Sequence, residues 1–181
     1  MYWRMVWIDE SGVKINTDKA WDNNEKGYAD ITVDGELKDK ISSNEGNISS
    51  TTPGWYLMIV TATVEGRDIK YNVQFNEPNV WLTGSCIGDS SYGELNEAGK
   101  FEVPTTQDGD FVSPAITDAC PGGEDGDGVR VYVKIPGNDW WHSEFLLEGD
   151  KISYRGAGGD QKPRLACAVG QKMYLNFSTG K

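Results

Sequence analysis

The segment VKIPGNDWW, Val133 to Trp141, is the stretch from which the fold of this chain is best predicted. Its start has the residue types of a pleated strand, in which Val133 and Ile135 face one side and Lys134 faces the other. Pro-Gly-Asn-Asp then predicts a turn. Two adjacent tryptophans, Trp140 and Trp141, follow this turn. Because adjacent side chains point in different directions, we expect one ring to pack in the core and the other to be free for another role.

A second copy of this segment lies near the start of the chain. VKINTDKAW (Val13–Trp21) matches it without a gap at the Val, the Lys, the Ile and the final Trp. Further along, WYLMI (Trp55–Ile59) matches MYLNF (Met173–Phe177), so the order of the matches is preserved. Preserved order of this kind indicates an internal duplication.

The duplication predicts two domains, residues 1–77 and residues 78–181. Pro78 suits a linker, because proline restricts the residue before it and ends strand pairing. About fifty residues precede the Val-Lys-Ile strand of the second domain, from Asn79 onward, whereas only twelve precede that of the first. We therefore expect the first domain to be an incomplete repeat that lacks its opening strands.

The rest of the chain alternates short strand-like runs with turn residues. YWRMVWI, WYLMIVTATV, DIKYNVQF and VRVYVKIP are rich in β-branched and aromatic residues, which favour strands. The 22 glycines and 7 prolines separate such runs at short intervals. We find no long segment with the 3.6-residue periodicity of an amphipathic helix. Many short strands between turns predict an all-β fold, either a β-sandwich or a barrel.

The charge of the chain narrows the class of ligand. The formal net charge is −11, which argues against nucleic acid and against an anionic membrane surface, since both require clustered Lys and Arg. No apolar run approaches the roughly 18 residues that span a bilayer. An acidic protein suits a neutral ligand that needs no electrostatic steering.

The three cysteines, Cys86, Cys120 and Cys167, are too scattered for a zinc site, and no CxxC motif occurs. Two interpretations stay open at this point. The thiols are buried as small apolar groups, or Cys86 and Cys120 form a disulfide in an oxidising compartment.

The motifs for metal binding and catalysis are weak. The acidic turns Glu124–Arg130 and Thr106–Phe111 lack the ligand spacing of a calcium loop, so we expect no metal and no cofactor. His142 is the lone histidine and no GxSxG motif accompanies it. Glu25 and Glu144, which follow the repeated tryptophans, are the best candidates for a glycosidase carboxylate.

A strand ending in Val-Lys-Ile, a polar turn and a tryptophan resemble the Phe-Lys-Phe and Trp pattern of surface glycan-binding modules. PNVWLTGSCIGDSSYGELNEAGKFEVP resembles the opening of such a module, and AGGDQKPRLACAVGQKMYLNFSTGK fits its close. The chain resembles the SusE/SusF-type outer-membrane lipoproteins of Bacteroidota polysaccharide-utilisation systems. The resemblance covers nearly all of 79–181 and extends less fully over 1–77, and both repeats have Val-Lys-Ile where the family has Phe-Lys-Phe.

This resemblance implies tandem β-sandwich domains, immunoglobulin-like or carbohydrate-binding-module-like, that bind a starch-like α-glucan or a related polysaccharide at the cell surface and have no catalytic activity. It implies attachment to the outer membrane through a lipidated cysteine. No such cysteine lies near Met1, so we expect the anchor and the signal peptide to be absent from this chain. Expected partners are a polysaccharide or oligosaccharide and other outer-membrane components of the uptake system.

The repeated lysine and tryptophan are the predicted binding residues. An indole ring covers the C–H face of a sugar, and ammonium or amide groups bond to its hydroxyls. The predicted ligand-binding residues are Lys134, Asn138, Asp139, Trp140 and Trp141 in the second domain and Lys14 and Trp21 in the first.

Other roles stay open for these residues. Trp21 and Trp141 are repeated, and an alternative interpretation is that both pack in the hydrophobic core. The repeat would then reflect only the fold that the two domains share. Arg155, in a glycine-rich bend, is a further candidate for ligand contact. At the level of function, the alternatives are a structural or adhesion β-sandwich without a glycan site, and a glycoside hydrolase.

Overall fold

The computed structural model describes residues 1–16 and 23–181, which divide into two compact units, Met1–Pro78 and Asn79–Lys181. Among the residues that the structure describes, strands dominate both units and the helices are short 3₁₀ segments, which confirms the predicted all-β class. None of the helices in the described part of the chain is long and apolar enough to cross a membrane.

The element bounds are as follows. The strands are β1 (Tyr2–Ile8), β2 (Ile31–Asp34), β3 (Ile41–Asn44), β4 (Asn47–Ser50), β5 (Gly54–Glu65), β6 (Asp68–Asn76), β7 (Trp81–Thr83), β8 (Phe111–Val112), β9 (Arg130–Tyr132), β10 (Glu144–Glu148), β11 (Lys151–Tyr154) and β12 (Tyr174–Leu175). The 3₁₀ helices are Tyr28–Asp30, Lys38–Lys40, Ser85–Ile87, Glu97–Gly99 and Trp140–Ser143.

The first unit is built on a four-stranded sheet with the order β1-β5-β6-β2. β1 and β6 pair antiparallel with β5, whereas β2 pairs parallel with β6. β3 and β4 form a separate hairpin whose two turn residues, Glu45 and Gly46, both have positive φ, as a tight two-residue turn requires. Apolar side chains from the sheet and the hairpin form one buried cluster, which includes Ile8, Ile48 and Phe75.

The second unit is built on an antiparallel four-stranded sheet with the order β11-β10-β9-β7, accompanied by the pair β8 and β12. The Val-Lys-Ile segment, residues 133–135, follows the end of β9 and is not itself part of a strand, so the predicted strand ends earlier than expected. Val133 and Ile135 are 0% and 1% exposed, whereas Lys134 is only partly buried, which agrees with the predicted facing of these three side chains.

The prediction of a strand at the matching segment of the first unit, residues 13–15, was wrong. Val13 and Ile15 form isolated bridges, the former with Ile48 and the latter with Lys26. Because the two residues pair with different segments, no continuous ladder can form between them.

The cysteines are all free thiols in this structure. Cys86 and Cys120 are buried, and Cys167 is partly exposed. Burial raises the pKa of Cys86 to about 11, because a thiolate loses its hydration in the apolar interior.

The turn after β2 generates a prediction about stability. Gly35 has a φ of +94°, and a Cβ there would lie 2.6 Å from the backbone N and O of Phe75. Gly66 also has a positive φ, but no atom lies within 4 Å of its Cβ position. We expect Gly66→Ala to lower the free energy of unfolding by about 1–2 kcal/mol. Gly35→Ala should cost roughly 3 kcal/mol or more, since overpacking adds to the same backbone cost.

Urea unfolding of both variants, followed by tryptophan fluorescence, measures this difference. Equal losses in Gly35→Ala and Gly66→Ala would show that the backbone at Phe75 moves aside at little cost, against the prediction.

Candidate functional site

The two adjacent tryptophans lie on the 3₁₀ helix that follows the Val-Lys-Ile segment. Ser143 fixes this helix, because its hydroxyl donates to the carbonyl oxygen of Val133 and, over 3.1 Å, to that of Trp140. A 3₁₀ helix has three residues per turn, so adjacent side chains diverge by about 120° instead of alternating as in a strand. Trp140 and Trp141 are both partly exposed, and neither is fully packed in the core as we expected for one of them.

Both rings line one cleft of about 330 Å³ in the second unit. Three aromatic side chains, three arginines and one carboxylate form its walls: Tyr92, Arg130, Trp140, Trp141, Arg155, Asp160 and Arg164. Flat apolar rings next to hydrogen-bonding groups are the combination that a sugar ring requires, because a sugar has C–H faces and a hydroxyl edge.

Trp140 is held by three neighbouring side chains. The ring of Tyr92 is nearly parallel to it, with 6.0 Å between the centroids and 9° between the planes. Tyr132 contacts it edge-on, also at a centroid distance of 6.0 Å. The guanidinium carbon of Arg130 lies 5.2 Å from the ring centroid, within the range of a cation–π interaction. The orientation of the indole is therefore set before any ligand arrives.

Trp141 is held in a similar way. His142 stacks on it, with 3.5 Å between the centroids, and the guanidinium carbon of Arg155 lies 5.1 Å from its centroid. Each tryptophan of the cleft thus has its own arginine.

A buried carboxylate joins these two arginines. Glu144, the first residue of β10, is 0% exposed. Its Oε1 accepts from Nε of Arg130 at 2.5 Å, and its Oε2 accepts from Nη2 of Arg130 at 3.0 Å and from Nη1 of Arg155 at 2.6 Å. Bidentate pairing to a guanidinium fixes direction as well as distance. Glu144 therefore determines where both guanidinium groups lie over the indoles.

Asp160 extends this network to a third arginine. Its Oδ1 accepts from Arg130 at 2.5 Å and its Oδ2 from Arg164 at 2.9 Å. Burial opposes the charge of Asp160, but the hydrogen bond from Arg164 and the charge of Arg130 outweigh it and lower the pKa of Asp160 below its usual value. Burial likewise opposes the charge of Arg130, yet hydrogen bonding to Glu144 and the nearby carboxylates raise the pKa of Arg130.

Tyr92 enters the cleft from a different part of the chain, the loop after the 3₁₀ helix Ser85–Ile87. Its hydroxyl donates to Asp127 Oδ1 at 2.9 Å. Its ring packs against Gly84, where a Cβ would lie only 2.6 Å from the Cε1 atom of Tyr92. The carboxylate of Asp89 braces the loop by accepting from the backbone N–H of Gly93 at 2.9 Å.

The predicted polar residues lie beside the cleft but are not among its lining residues. Lys134 forms an ion pair with Glu94 and donates to the carbonyl oxygen of Asn138 at 2.7 Å. Glu94 also accepts from the backbone N–H of Trp140 at 2.7 Å. Asn138 is partly exposed and Asp139 is exposed. The structure therefore connects Lys134 to the turn before the tryptophans.

In the first unit, Lys14 is exposed and Glu25 is partly exposed. Trp21 lies outside the described residues, so a site in this unit stays a prediction from the sequence.

Sequence reasoning missed Tyr92, Arg130, Asp160 and Arg164. Tyr92 and Arg130 lie far apart along the chain, and no local motif connects them. Asp160 lies in the glycine-rich bend that contains Arg155, and Arg164 follows it, so the charged residues of this glycine-rich segment were the one signal available for them.

The buried carboxylate of Glu144 leads to a prediction about stability. Glu144→Gln keeps the shape of the side chain but leaves Arg130 and Arg155 without their shared counter-charge. We expect a loss of about 3–5 kcal/mol in the free energy of unfolding, measured by urea denaturation. Glu148→Gln, an exposed position on the same strand, is the control and should change stability by less than about 0.5 kcal/mol. A loss at Glu144 no larger than this control would contradict the structural role of the ion pairs.

The lowered pKa of Asp160 predicts acid sensitivity. A carboxyl group with a depressed folded pKa contributes stability that is complete above its unfolded pKa, about 3.9. That stability is lost as the pH falls through the folded pKa. We expect the contribution of Asp160 to be constant between about pH 5 and 8 and to decline progressively as the pH falls below about 4. Asp160→Asn should flatten this acid limb in thermal unfolding at pH 3–7, whereas Asp125→Asn, at an exposed turn, should leave it unchanged. An unaltered acid limb in Asp160→Asn would refute the assignment.

Comparison with known proteins places the chain in a family. Residues 1–72 and 79–181 match the family model described as SusF/SusE starch specific CBMs. Outer membrane protein SusF of Bacteroides thetaiotaomicron is 37% identical over 177 residues, which cover 93% of this chain and 33% of that protein. The crystal structure of SusF from Bacteroides thetaiotaomicron is similar with a TM-score of 0.78 and 33% sequence identity, and the match covers 99% of this chain and 38% of that chain.

The chain thus spans about a third of the length of these relatives. The matches confirm the resemblance drawn from the sequence. Because the two matched ranges together include nearly all residues, the chain belongs to the SusF/SusE family of starch-specific carbohydrate-binding modules.

Proposed function

We propose that this chain binds a starch-like α-glucan without cleaving it, and that the cleft between Trp140 and Trp141 is its binding site. The observation that carries the proposal is the meeting of two partly exposed indoles with three guanidinium groups in one cleft. Membership of a starch-specific family supports the choice of glycan.

The indoles supply the apolar part of binding. Each ring covers roughly 50–70 Å² of sugar C–H surface, worth on the order of 1.5 kcal/mol at about 25 cal/mol per Å². Two rings held in place by Arg130 and Arg155 bind without a further loss of side-chain entropy, because the ion pairs already fix their orientation.

The charged groups supply the polar part. Arginine offers several N–H donors and a carboxylate offers acceptors, so Arg155, Arg164 and Asp160 suit the hydroxyls at the edge of a sugar ring. Each of the three arginines already pairs with Glu144 or Asp160 inside the protein, so none of the arginines needs a carboxylate on the ligand. A neutral glycan is therefore the class of ligand that fits.

The expected affinity is modest. A few kcal/mol from stacking and hydrogen bonds correspond to a dissociation constant in the millimolar to high-micromolar range. A polysaccharide has many identical segments, so tandem modules on one chain would raise the apparent affinity through a high effective concentration.

The position of Glu144 supports binding over hydrolysis. A glycosidase needs a carboxyl group that reaches the glycosidic oxygen and a second one about 5–10 Å away. Glu144 is fully buried and bonded to two arginines, so its oxygens serve the ion-pair network.

We assign supporting roles to the predicted polar residues. Lys134 holds the turn before the tryptophans through Glu94, and Asn138 and Asp139 lie in that turn beside the cleft. Lys14 and Trp21 form the proposed counterpart in the first unit, supported by the repeated Val-Lys-Ile and Trp pattern.

We further propose that the protein acts at the outer-membrane surface, together with other outer-membrane components of a polysaccharide uptake system. Support comes from the relative named Outer membrane protein SusF and from the family resemblance.

Removing either ring tests the site. Trp140→Ala and Trp141→Ala should each weaken binding about tenfold or more, because about 1.5 kcal/mol corresponds to roughly a factor of ten. Retardation in a native gel containing amylopectin and titration calorimetry with maltohexaose measure this loss. Tyr174→Ala, which removes an aromatic ring that is 60% exposed outside the cleft, is the matched control and should bind as the parent chain does.

Circular dichroism confirms that each variant is folded. Unchanged binding by a folded Trp140→Ala, Trp141→Ala double variant would move the site elsewhere, and no binding of amylopectin by the parent chain would reject the proposed ligand.

A further inference from the structure

Two of the three cysteines face each other across a pair of antiparallel segments. Cys120 and Cys167 form a β-bridge in which each backbone N–H donates to the other residue's carbonyl oxygen over 3.0 Å. A reciprocal pair of this kind places the two Cα atoms about 5.5 Å apart. Disulfides have Cα separations of about 4.4–6.8 Å, so the backbone already has the separation that a disulfide needs.

The two sulfur atoms lie on the same side of this bridge. Both are directed toward the carbonyl oxygen of Asp118, at 4.0 Å from Sγ of Cys120 and 3.8 Å from Sγ of Cys167. One oxygen thus lies within 4.0 Å of both sulfur atoms, and the two thiols are themselves joined by a side-chain hydrogen bond, so they occupy one small space.

The surrounding hydrogen bonds prevent the two segments from separating. On one side of the cysteines, Gly170 donates to Ile116 and Ile116 donates to Gln171, at 2.9 and 2.8 Å. On the other side, Gly123 and Arg164 exchange two hydrogen bonds of 2.9 Å. The thiols are therefore held together by backbone that is fixed at both ends.

We propose that Cys120 and Cys167 form an intramolecular disulfide when the folded chain meets a disulfide oxidant. This inference does not depend on the proposed function. It replaces the Cys86–Cys120 pairing considered from the sequence, because the backbone bridge of Cys120 is with Cys167.

The chemistry requires an external disulfide, such as oxidised glutathione or the active-site cystine of a thiol oxidase. Cys167 is the more exposed thiol and reacts first. Its thiolate attacks one sulfur of the oxidant, which gives a mixed disulfide and releases one reduced thiol. Cys120 then loses its proton and attacks the sulfur of Cys167, which releases the second reduced thiol. Two protein thiols are oxidised and one external disulfide is reduced to two thiols.

The protonation of Cys120 fits this order. Burial, and then the neighbouring Cys167, raise the pKa of Cys120 to about 12. A thiol that is protonated at neutral pH is a poor first nucleophile, so Cys120 serves as the second thiol.

The disulfide would brace one wall of the cleft. Arg164 lies in the segment that ends at Cys167, and its guanidinium group pairs with Asp160 over 2.9 Å. The bridge between Gly123 and Arg164 lies three residues along the chain from each cysteine. A covalent link at Cys120 and Cys167 would therefore limit the motion of the segment from Asp160 to Cys167.

The test uses the full chain, purified from a reducing cytosol and incubated with oxidised glutathione. After alkylation of free thiols and digestion without reductant, mass spectrometry should find one peptide pair linked through Cys120 and Cys167. Cys86 should be alkylated only after unfolding. The oxidised chain should melt about 10 °C higher in its second unit than the reduced chain.

Serine variants identify the partners. Cys86→Ser should retain the linked peptide and the rise in melting temperature, whereas Cys120→Ser and Cys167→Ser should both lose them. A Cys86–Cys120 link, a lasting glutathione adduct on Cys167 or a disulfide between chains would each overturn the proposal.

Discussion

The buried ion pairs of Glu144 organise the second unit. A carboxylate removed from water costs several kcal/mol unless hydrogen-bonded cations surround it, and here Arg130 and Arg155 do so from two directions. Each of these arginines also lies over one tryptophan of the cleft. The two arginines therefore offset the cost of burying Glu144, and Glu144 in turn positions them over both indole rings. The stability of this unit and the shape of its cleft thus depend on the same carboxylate.

The cleft combines a rigid part and a part built from loops. Arg130 and Glu144 belong to paired strands β9 and β10, whereas Tyr92 and Asp160 come from connecting segments. Strands fix the charges, and loops add the aromatic and polar groups around them. This division is usual for binding proteins, in which a scaffold carries variable loops.

Local pattern predicted much of this fold. YWRMVWI is β1, residue for residue, and Val133 and Ile135 face the core as alternation requires. The family resemblance was visible in the repeated Val-Lys-Ile and Trp segments. Alternation could not predict the 3₁₀ helix that turns Trp140 and Trp141 toward one cleft. Nor could it predict the pairing of Glu144 with arginines 14 and 11 residues away, since such contacts depend on how strands and loops meet in space.

Tyr92 lies on a loop that is separate from the strands that carry Arg130 and Glu144, and this has a consequence for how such modules diversify. This ring reaches the cleft on a loop braced by Asp89, and its hydroxyl donates a hydrogen bond to Asp127. Exchange of that loop would widen or narrow the space above Trp140 while the ion pairs below it stayed intact. Copies of the domain could thus acquire different preferences for chain ends, branches or linkages without rebuilding their interior.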